Sequence, residues 1–481
     1  MAELDPALQD EISNLQTRHT ALVDAVRNYS GGSIAQATND LLAAQAQTES
    51  TIDERETALL GLIQQQTDKP VPSLMLDFLE RIYMRGARRL EHGIDPYSIL
   101  SVNRGSTKWV WGSQGKLEEI PADTIAYEYS PTTGEPLGHL NEPVSTNEIP
   151  ECNNWGVNTN EVDRPGGADA FPGGKSGTTA DRIVPTSVSD NHFVRQPNNP
   201  DNTDADISYY FHFKPQGYEQ VQIRVNGFGG SVGATFHAGS ETVTWMAPDT
   251  TYVRIVPLPD GWYRCEVAGT VVTGGNGSFV HIFIMDGNDN KSFAGDGTSG
   301  IDVYWGQLEI RNAPTSPIWT NGSTETRQSD NIQVVADGWQ NRRQASLHVE
   351  MSVKEGGEKE DNVATLGAGR GNERMVLSKE GQMYVTTPEG SNFNGNSYDL
   401  NFHPEFTRYA VSYEEAGSMH MTIDNGANSR SPGAMNGKHL DVTRMTLGTQ
   451  HTSATDVING YIRRVHYYPF MMDLADLEAL Q

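Results

Sequence analysis

The stretch Gly460-Tyr461-Ile462-Arg463-Arg464-Val465-His466-Tyr467-Tyr468 decides the fold class. Its branched and aromatic residues read as a strand, and Pro469, which has no N–H for a ladder, stops it. Met445-Thr446-Leu447-Gly448 reads as a shorter strand before it. The run Asp473 to Leu480 has the spacing of one or two helical turns, with Asp473 or Asp476 placed to cap them. An aromatic strand followed by a short helix is expected to seal the last edge of a β-sandwich. The C-terminal third is therefore expected to be a self-contained all-β unit.

Upstream the same signals recur. Residues 332–481 carry candidate strands at 346–353, 373–378, 382–386, 407–413 and 418–423, and are assigned to a second, lectin-like sandwich. Residues 320–331, dominated by Thr, Asn, Gly, Ser and charge, read as its linker. Residues 186–319 read as the first sandwich: Val221, Ile223 and Val225 alternate with polar neighbours, Phe279 to Met285 is apolar on both faces, and Pro259-Asp260-Gly261 turns a hairpin. Residues 151–185 are rich in Gly, Pro, Asn and Asp and read as a loop or insertion. Within them Pro172-Gly173-Gly174-Lys175-Ser176 echoes a phosphate loop, but no apolar strand precedes it and no apolar helix follows, so nucleotide binding is not expected. Residues 96–150 are very short strands and turns, the pattern of an extended β arm lying along a larger body.

The N-terminal residues 1–95 read as helical. Leu8, Leu15 and Leu22, and after Gly31-Gly32 also Leu41, Ile52 and Leu59, form a narrow apolar seam that must pack against something. The Gly pair could fold the segments into a hairpin, or copies could associate as a coiled coil, with a parallel homotrimer suggested by the heptad steps at Leu8, Leu15 and Leu22. A third helix is expected from Leu74 to Leu90, capped by Ser73, with Arg81, Arg85, Arg88 and Arg89 either solvated or forming a docking patch. The expected fold is thus mainly β: two antiparallel, jelly-roll or concanavalin-like sandwiches preceded by an α-helical N-terminal anchor and oligomerisation region.

Charge narrows the function. Among 481 residues, 62 are acidic and 35 basic, a formal net of −27 that argues against binding a nucleic-acid backbone. No apolar run approaches the ~18 residues of a membrane-spanning helix, so no membrane insertion is expected, and the first residues lack the pattern of a signal peptide. Cys152 and Cys265 form neither a disulfide framework nor a metal motif, and Cys265 reads as a small interior residue.

Several segments resemble tailed-bacteriophage structural proteins with lectin-like sandwich domains. They are Asn103-Arg104-Gly105-Ser106-Thr107, Gly115 to Ala122, Tyr129-Ser130-Pro131-Thr132-Thr133-Gly134-Glu135-Pro136-Leu137-Gly138, Gly261-Trp262-Tyr263-Arg264, and Val303-Tyr304-Trp305-Gly306-Gln307-Leu308-Glu309 with the turn Pro314 to Pro317. The closing strand and helix are similar to those of a concanavalin-like sandwich. The resemblance covers roughly 100–150 and 186–481. It departs at Ser145 to Ile149, where the family has an Arg-Thr-Asn-Leu stretch, and has no counterpart for 151–185. It implies a virion component, made in the host cytoplasm, that assembles with other proteins of the head, neck or tail and often forms a fibre or spike. Glycan adhesion to host-surface polysaccharide is implied more loosely. The alternatives are a dedicated receptor-binding tail fibre and a polysaccharide-degrading enzyme.

No compact set of nucleophiles, histidines or carboxylates supports catalysis, and no cofactor or zinc motif is expected. Asp286, Asn288, Asp289 and Asp296 sit in turns that could hold a hard cation or simply close on their own backbone. A glycan site needs an aromatic plate beside polar groups, for which Trp245, Trp305, Trp339 and Tyr398 are eligible, each equally able to be core.

Overall fold

A computed structural model describes residues 70–480 except 87, 91–95, 157–158, 198–204, 226–231, 272–278, 337, 342, 354–361, 368–373, 379–382, 387–391, 395–405, 415–417, 424–427, 435–441 and 450–456. The chain is mainly β, in two pairs of large antiparallel sheets, each pair enclosing its own core.

Gly460–Tyr468 is not an edge. It lies inside a ten-stranded sheet, between Leu74–Asp77 and Gln344–Val353, and Pro136–Asn141 pairs with its first residues. A seven-stranded sheet, with Leu100–Val102 beside Ile332–Val335 at one end, covers the other side of the core. Val465 and Tyr467 meet Leu74, Leu76, Val349, Val411 and Met445 between the two sheets. The short helix Leu474–Ala479 follows as expected: the Asp473 carboxylate accepts from the Asp476 N–H, and Leu477 packs on Tyr468 and Ala410.

The helix expected from Leu74 to Leu90 is a correction. This segment is the strand meander Leu74–Asp77, Ile82–Arg85 and Arg88–Leu90. Leu74, Leu76 and Phe78 are buried at every second residue, the strand period. Asp77 then accepts from the Leu79 and Glu80 N–H groups, and Arg81 takes a left-handed φ of 56° to turn the chain. Ser73 donates to the Trp339 carbonyl at 2.6 Å instead of capping a helix. Arg81 lies over the Tyr127 ring at 4.4 Å and bonds the Tyr129 hydroxyl. Leu76→Ala, inside the strand, should cost about 2–5 kcal/mol in denaturant unfolding, and Leu79→Ala, half-buried in the turn, clearly less; equal losses would contradict this placement.

The expected coiled coil is also corrected. Among the described residues the longest helix is Leu474–Ala479, six residues, and the segment read as the third helix is sheet. Leu8, Leu15, Leu22, Leu41, Ile52 and Leu59 lie outside the described residues, and with them the seam that suggested a trimer.

The first sandwich joins two six-stranded sheets. One runs Val162–Asp163, Asp181–Pro185, Gly300–Glu309, Ala205–Gln216, Tyr263–Val271 and Thr250–Pro257. The other contains Phe279–Met285 between Gln220–Val225 and Asp190–Pro197, the central position its apolar faces suggested. The hairpin at Pro259–Gly261 forms in register, Val256 opposite Arg264, and Cys265 is interior.

Three segments expected to lie outside the cores do not. The 151–185 stretch buries Cys152, Trp155 and Phe171 and supplies the strand Asp181–Pro185. The 96–150 arm adds strands to both sheets of the second pair. The 320–331 stretch, read as a linker, pairs Glu325–Arg327 with Ser145–Asn147 and buries Arg327 and Asp330.

Those two residues belong to an ion cluster with no solvent access. Lys108 Nζ lies 2.6 Å from Asp330 Oδ2 and 3.0 Å from Glu142 Oε2, Arg104 Nη1 lies 2.9 Å from Asp330 Oδ1, and Arg327 Nη1 lies 3.2 Å from Glu142 Oε2. Glu142 also accepts from the Ser316 N–H and hydroxyl at 2.7 and 2.6 Å. Arm, first sandwich and the segment leading into Ile332–Val335 are therefore tied at one point. Burial pushes the Lys108 ammonium below its usual range against the pull of Asp330 and Glu142. Burial would raise Asp330, but Lys108 and Arg104 hold its carboxyl below the usual range.

Candidate functional site

Beside this cluster the arm and the first sandwich form an aromatic cleft. On Lys108–Trp111, Trp109 and Trp111 share one face of the strand. On Gly300–Glu309 the register against Ala205–Gln216 slips between Tyr210 and His212, and Trp305 adopts φ 45°. Gly306 follows because a Cβ there would run into the Gln196 side-chain oxygen. The irregularity places the Trp305 ring among the aromatics of the junction, edge-on to Trp109 at 5.3 Å and to Trp319 at 5.0 Å. Trp305 is fully buried; Trp109, 6% exposed, and the half-buried Trp319 border a cleft of about 280 Å³.

The polar groups of the cleft are equally local. Lys175, from the string that echoes a phosphate loop, pairs with Glu119 at 2.9 Å and stands 5.3 Å over the Trp109 ring. Its position is fixed from the preceding turn, where Gly173 has φ 75° and no room for a Cβ against the Leu117 backbone. Thr107 donates to Glu119 at 3.2 Å, and Asn321, Glu325 and Thr326 are among the other lining residues. Two indoles beside alternating donors and acceptors suit a polyhydroxylated ring: its C–H face rests on the aromatic surface and its hydroxyls meet the polar rim. Burial pushes the Cys152 thiol up to about 11 and depresses His212 well below its usual value.

The residues singled out from the sequence are not brought together. Trp305 is the support behind the cleft. Trp339 is core of the second sandwich, its Nε1 donating to the Val335 carbonyl at 2.8 Å and its ring edge-on to Tyr467. Trp245 is half-buried on the edge strand Thr242–Met246, with the Arg224 guanidinium 3.9 Å from its ring centre. Tyr398 lies outside the described residues. Trp319, which does line the cleft, was missed; its signal was an aromatic two residues after the proline-rich turn Pro314 to Pro317.

The turn carboxylates close on their own backbone. Asp286 accepts from the Asn288 and Asn290 N–H groups, and Asp296 from those of Thr298 and Ser299 and from the Ser299 hydroxyl. Asp289 accepts from the Thr244 hydroxyl at 2.9 Å and from Gln220, and Asn288 shares the Asp286 turn. Among the described residues no group of three or more His, Cys, Asp or Glu side chains converges as metal ligands would.

No protein-family model matches the sequence, and no curated protein matches it significantly. Solved structures similar to part of the chain include domain 4 of AbnA, a GH43 extracellular arabinanase from Geobacillus stearothermophilus, in complex with arabinotriose, at 16% identity over 32% of this chain and 72% of that one, with a TM-score of 0.27. The Ruminococcus gnavus IT-sialidase CBM40 gives 12% identity over 29% and 83%, with a TM-score of 0.24. The binding domain of botulinum neurotoxin DC in complex with SialylT gives 12% identity over 32% and 39%, with a TM-score of 0.27, so the match spans well under half of the toxin chain. None of these likenesses speaks to what this chain binds; its sandwich architecture rests on the sheets and cores described above.

Proposed function

We propose that this chain is a non-enzymatic structural protein of a tailed-bacteriophage virion whose β-sandwiches project outward and adhere to host-surface glycan. The observation that carries the adhesive part is the cleft between Trp109 and Trp319, with the Lys175–Glu119 pair against one indole. The virion part follows from the resemblance of the arm and of the Gly261 to Arg264 and Val303 to Glu309 strands to phage structural proteins, and it makes other proteins of the head, neck or tail its partners.

Purified full-length protein is expected to bind host-envelope polysaccharide in a pull-down or by calorimetry. Trp319→Ala should weaken that binding about tenfold or more, the effect of losing one aromatic platform worth roughly 1.5–3 kcal/mol. Unchanged binding in the variant would remove the cleft from the reading, and absence of binding to polysaccharide and to whole host cells would remove adhesion altogether. Incubation with the same polysaccharide is expected to release no reducing ends; release would replace adhesion by hydrolysis. Antibody labelling of intact particles is expected to find the sandwiches at the virion surface.

A further inference from the structure

A second cleft, of about 350 Å³, opens where the arm, the first sandwich and the strand Gly460–Tyr468 meet, and it shares no lining residue with the Trp109–Trp319 cleft. Glu128, on the strand Tyr127–Tyr129, is 7% exposed; its carboxylate accepts from the Tyr461 hydroxyl at 2.8 Å. Among the described residues no cation forms an ion pair with it. From the first sandwich, Glu266 lines the same cleft, held by Arg264 at 2.6 Å and by the Tyr252 hydroxyl at 2.6 Å, and Arg254 stands exposed to solvent. Burial pushes the Tyr461 and Tyr252 hydroxyls well above their usual range, so both stay neutral donors to the carboxylates.

The charges of this lining decide the class of ligand. Two carboxylates and two guanidinium groups sum to zero, so neither a polyanion nor a cation would find net charge compensation there. What the lining does offer is strong acceptors and strong donors side by side, next to the rings of Trp111 and Tyr252. Vicinal hydroxyls satisfy such a pair, one donating to a carboxylate and its neighbour accepting from a guanidinium, while the apolar face of the ring lies on an aromatic. The volume is at the small end of ligand pockets, which run from about 300 to 1,000 Å³, and suits a mono- or disaccharide.

We propose that this cleft is a second saccharide site, selective for a neutral sugar with vicinal hydroxyls, in which Glu128 is the fixed acceptor and Arg254 the donor. It rests on the glycan-binding reading above but on none of the same residues. The site is composite. Glu128 comes from the arm, Tyr461 from the closing strand and Arg254 from the first sandwich, so it is complete only when these three are held together; arm and closing strand are joined by the pairing of Pro136–Asn141 with Gly460–Tyr468.

Saturation-transfer NMR of the full chain with a panel of neutral mono- and disaccharides tests the proposal. Wild type and Trp319→Ala are both expected to bind at least one of them with a Kd of about 1 mM or tighter. Adding Glu128→Gln to Trp319→Ala should weaken the remaining binding about 10- to 100-fold, the effect of losing a charge-assisted hydrogen bond. Arg254→Ala, at an exposed position, should act in the same direction with the fold untouched. If Trp319→Ala alone abolishes all binding, the second site falls and the first cleft stands. If the double variant and Arg254→Ala bind like their parents, the site is not here. If wild type binds host polysaccharide but no neutral sugar of the panel, the assigned ligand class is wrong, and if it binds no glycan of any kind, both readings fall together.

Discussion

Asp330→Ala is expected to destabilise the full chain by about 3–5 kcal/mol, the cost of stripping a partner from a buried charge network. The sign and size follow from counting charges in a space with no solvent access. In the ion pairs of the cluster Arg104, Lys108 and Arg327 meet Glu142 and Asp330, three cations to two carboxylates, so the cluster already carries one cation in excess. Removing Asp330 leaves three cations and one carboxylate, and it also strips an acceptor from the Glu142 N–H. The arginines cannot relieve this by losing a proton. Lys108→Met does the reverse: it leaves two cations and two carboxylates, at the expense of one acceptor, the Leu140 carbonyl that Lys108 now bonds at 2.6 Å. A carbonyl left unsatisfied costs about 1–3 kcal/mol, and the relief of the excess charge offsets part of that. Lys108→Met should therefore be much milder than Asp330→Ala, although both remove one member of the same ion pair. Denaturant midpoints of the two variants check this. Equal losses would mean that the pair acts as an isolated salt bridge and that the charge balance of the cluster is irrelevant.

The same cluster shows where the sequence stops being readable. The closing strand, the Pro259–Gly261 hairpin and the Asp473 cap were legible because each is decided by residues within a few positions of one another. Asp330 and Arg327 sit in a run of polar residues that has every local mark of a linker, and partners distant in sequence, at positions 104, 108, 142, 143 and 316, make their burial tolerable. Leu74 to Leu90 failed for a related reason. Leu76, Leu79, Ile82 and Tyr83 fit a helical face, and the turn that breaks it depends on a left-handed Arg81, a residue type with no preference for that conformation. The strand is then fixed by Tyr467 and His466, its partners near the far end of the chain. Trp305 was visible as an aromatic of interest, but which side it faces is set by a register slip against Tyr210 and His212.

Between pH 6.5 and about 4 the fold is expected to lose stability steeply, and buried neutral histidines are the reason. Burial pushes His139 and His348 down to about 3 and His281 and His466 down to about 4, from an ordinary value of 6.5. A base whose folded pKa is depressed binds its proton in the unfolded chain first. Over that interval the unfolded state therefore carries more protons, and stability rises with pH and falls with acid. Each such histidine contributes about 1.4 kcal/mol per pH unit, and the three in the ten-stranded sheet, His139, His348 and His466, would together contribute on the order of 4 kcal/mol per unit, enough to unfold a domain of ordinary stability within the window. The loss should begin well above the range in which the carboxylates themselves titrate. His348 and His466 are opposite one another in the ten-stranded sheet with ring centres 5.7 Å apart, so charging either one raises the cost of charging the other. Replacing one with a side chain that cannot titrate should remove one proton from the slope: His348→Gln is expected to move the acid midpoint of the second sandwich downward and to flatten the pH dependence, whatever it does to stability at pH 8. Unfolding followed by tryptophan fluorescence across pH 4 to 7, with Trp339 as the reporter packed on Tyr467 in that core, reads the effect directly. A slope identical in wild type and His348→Gln would mean that this imidazole keeps its ordinary pKa in the folded protein and that the acid sensitivity comes from elsewhere.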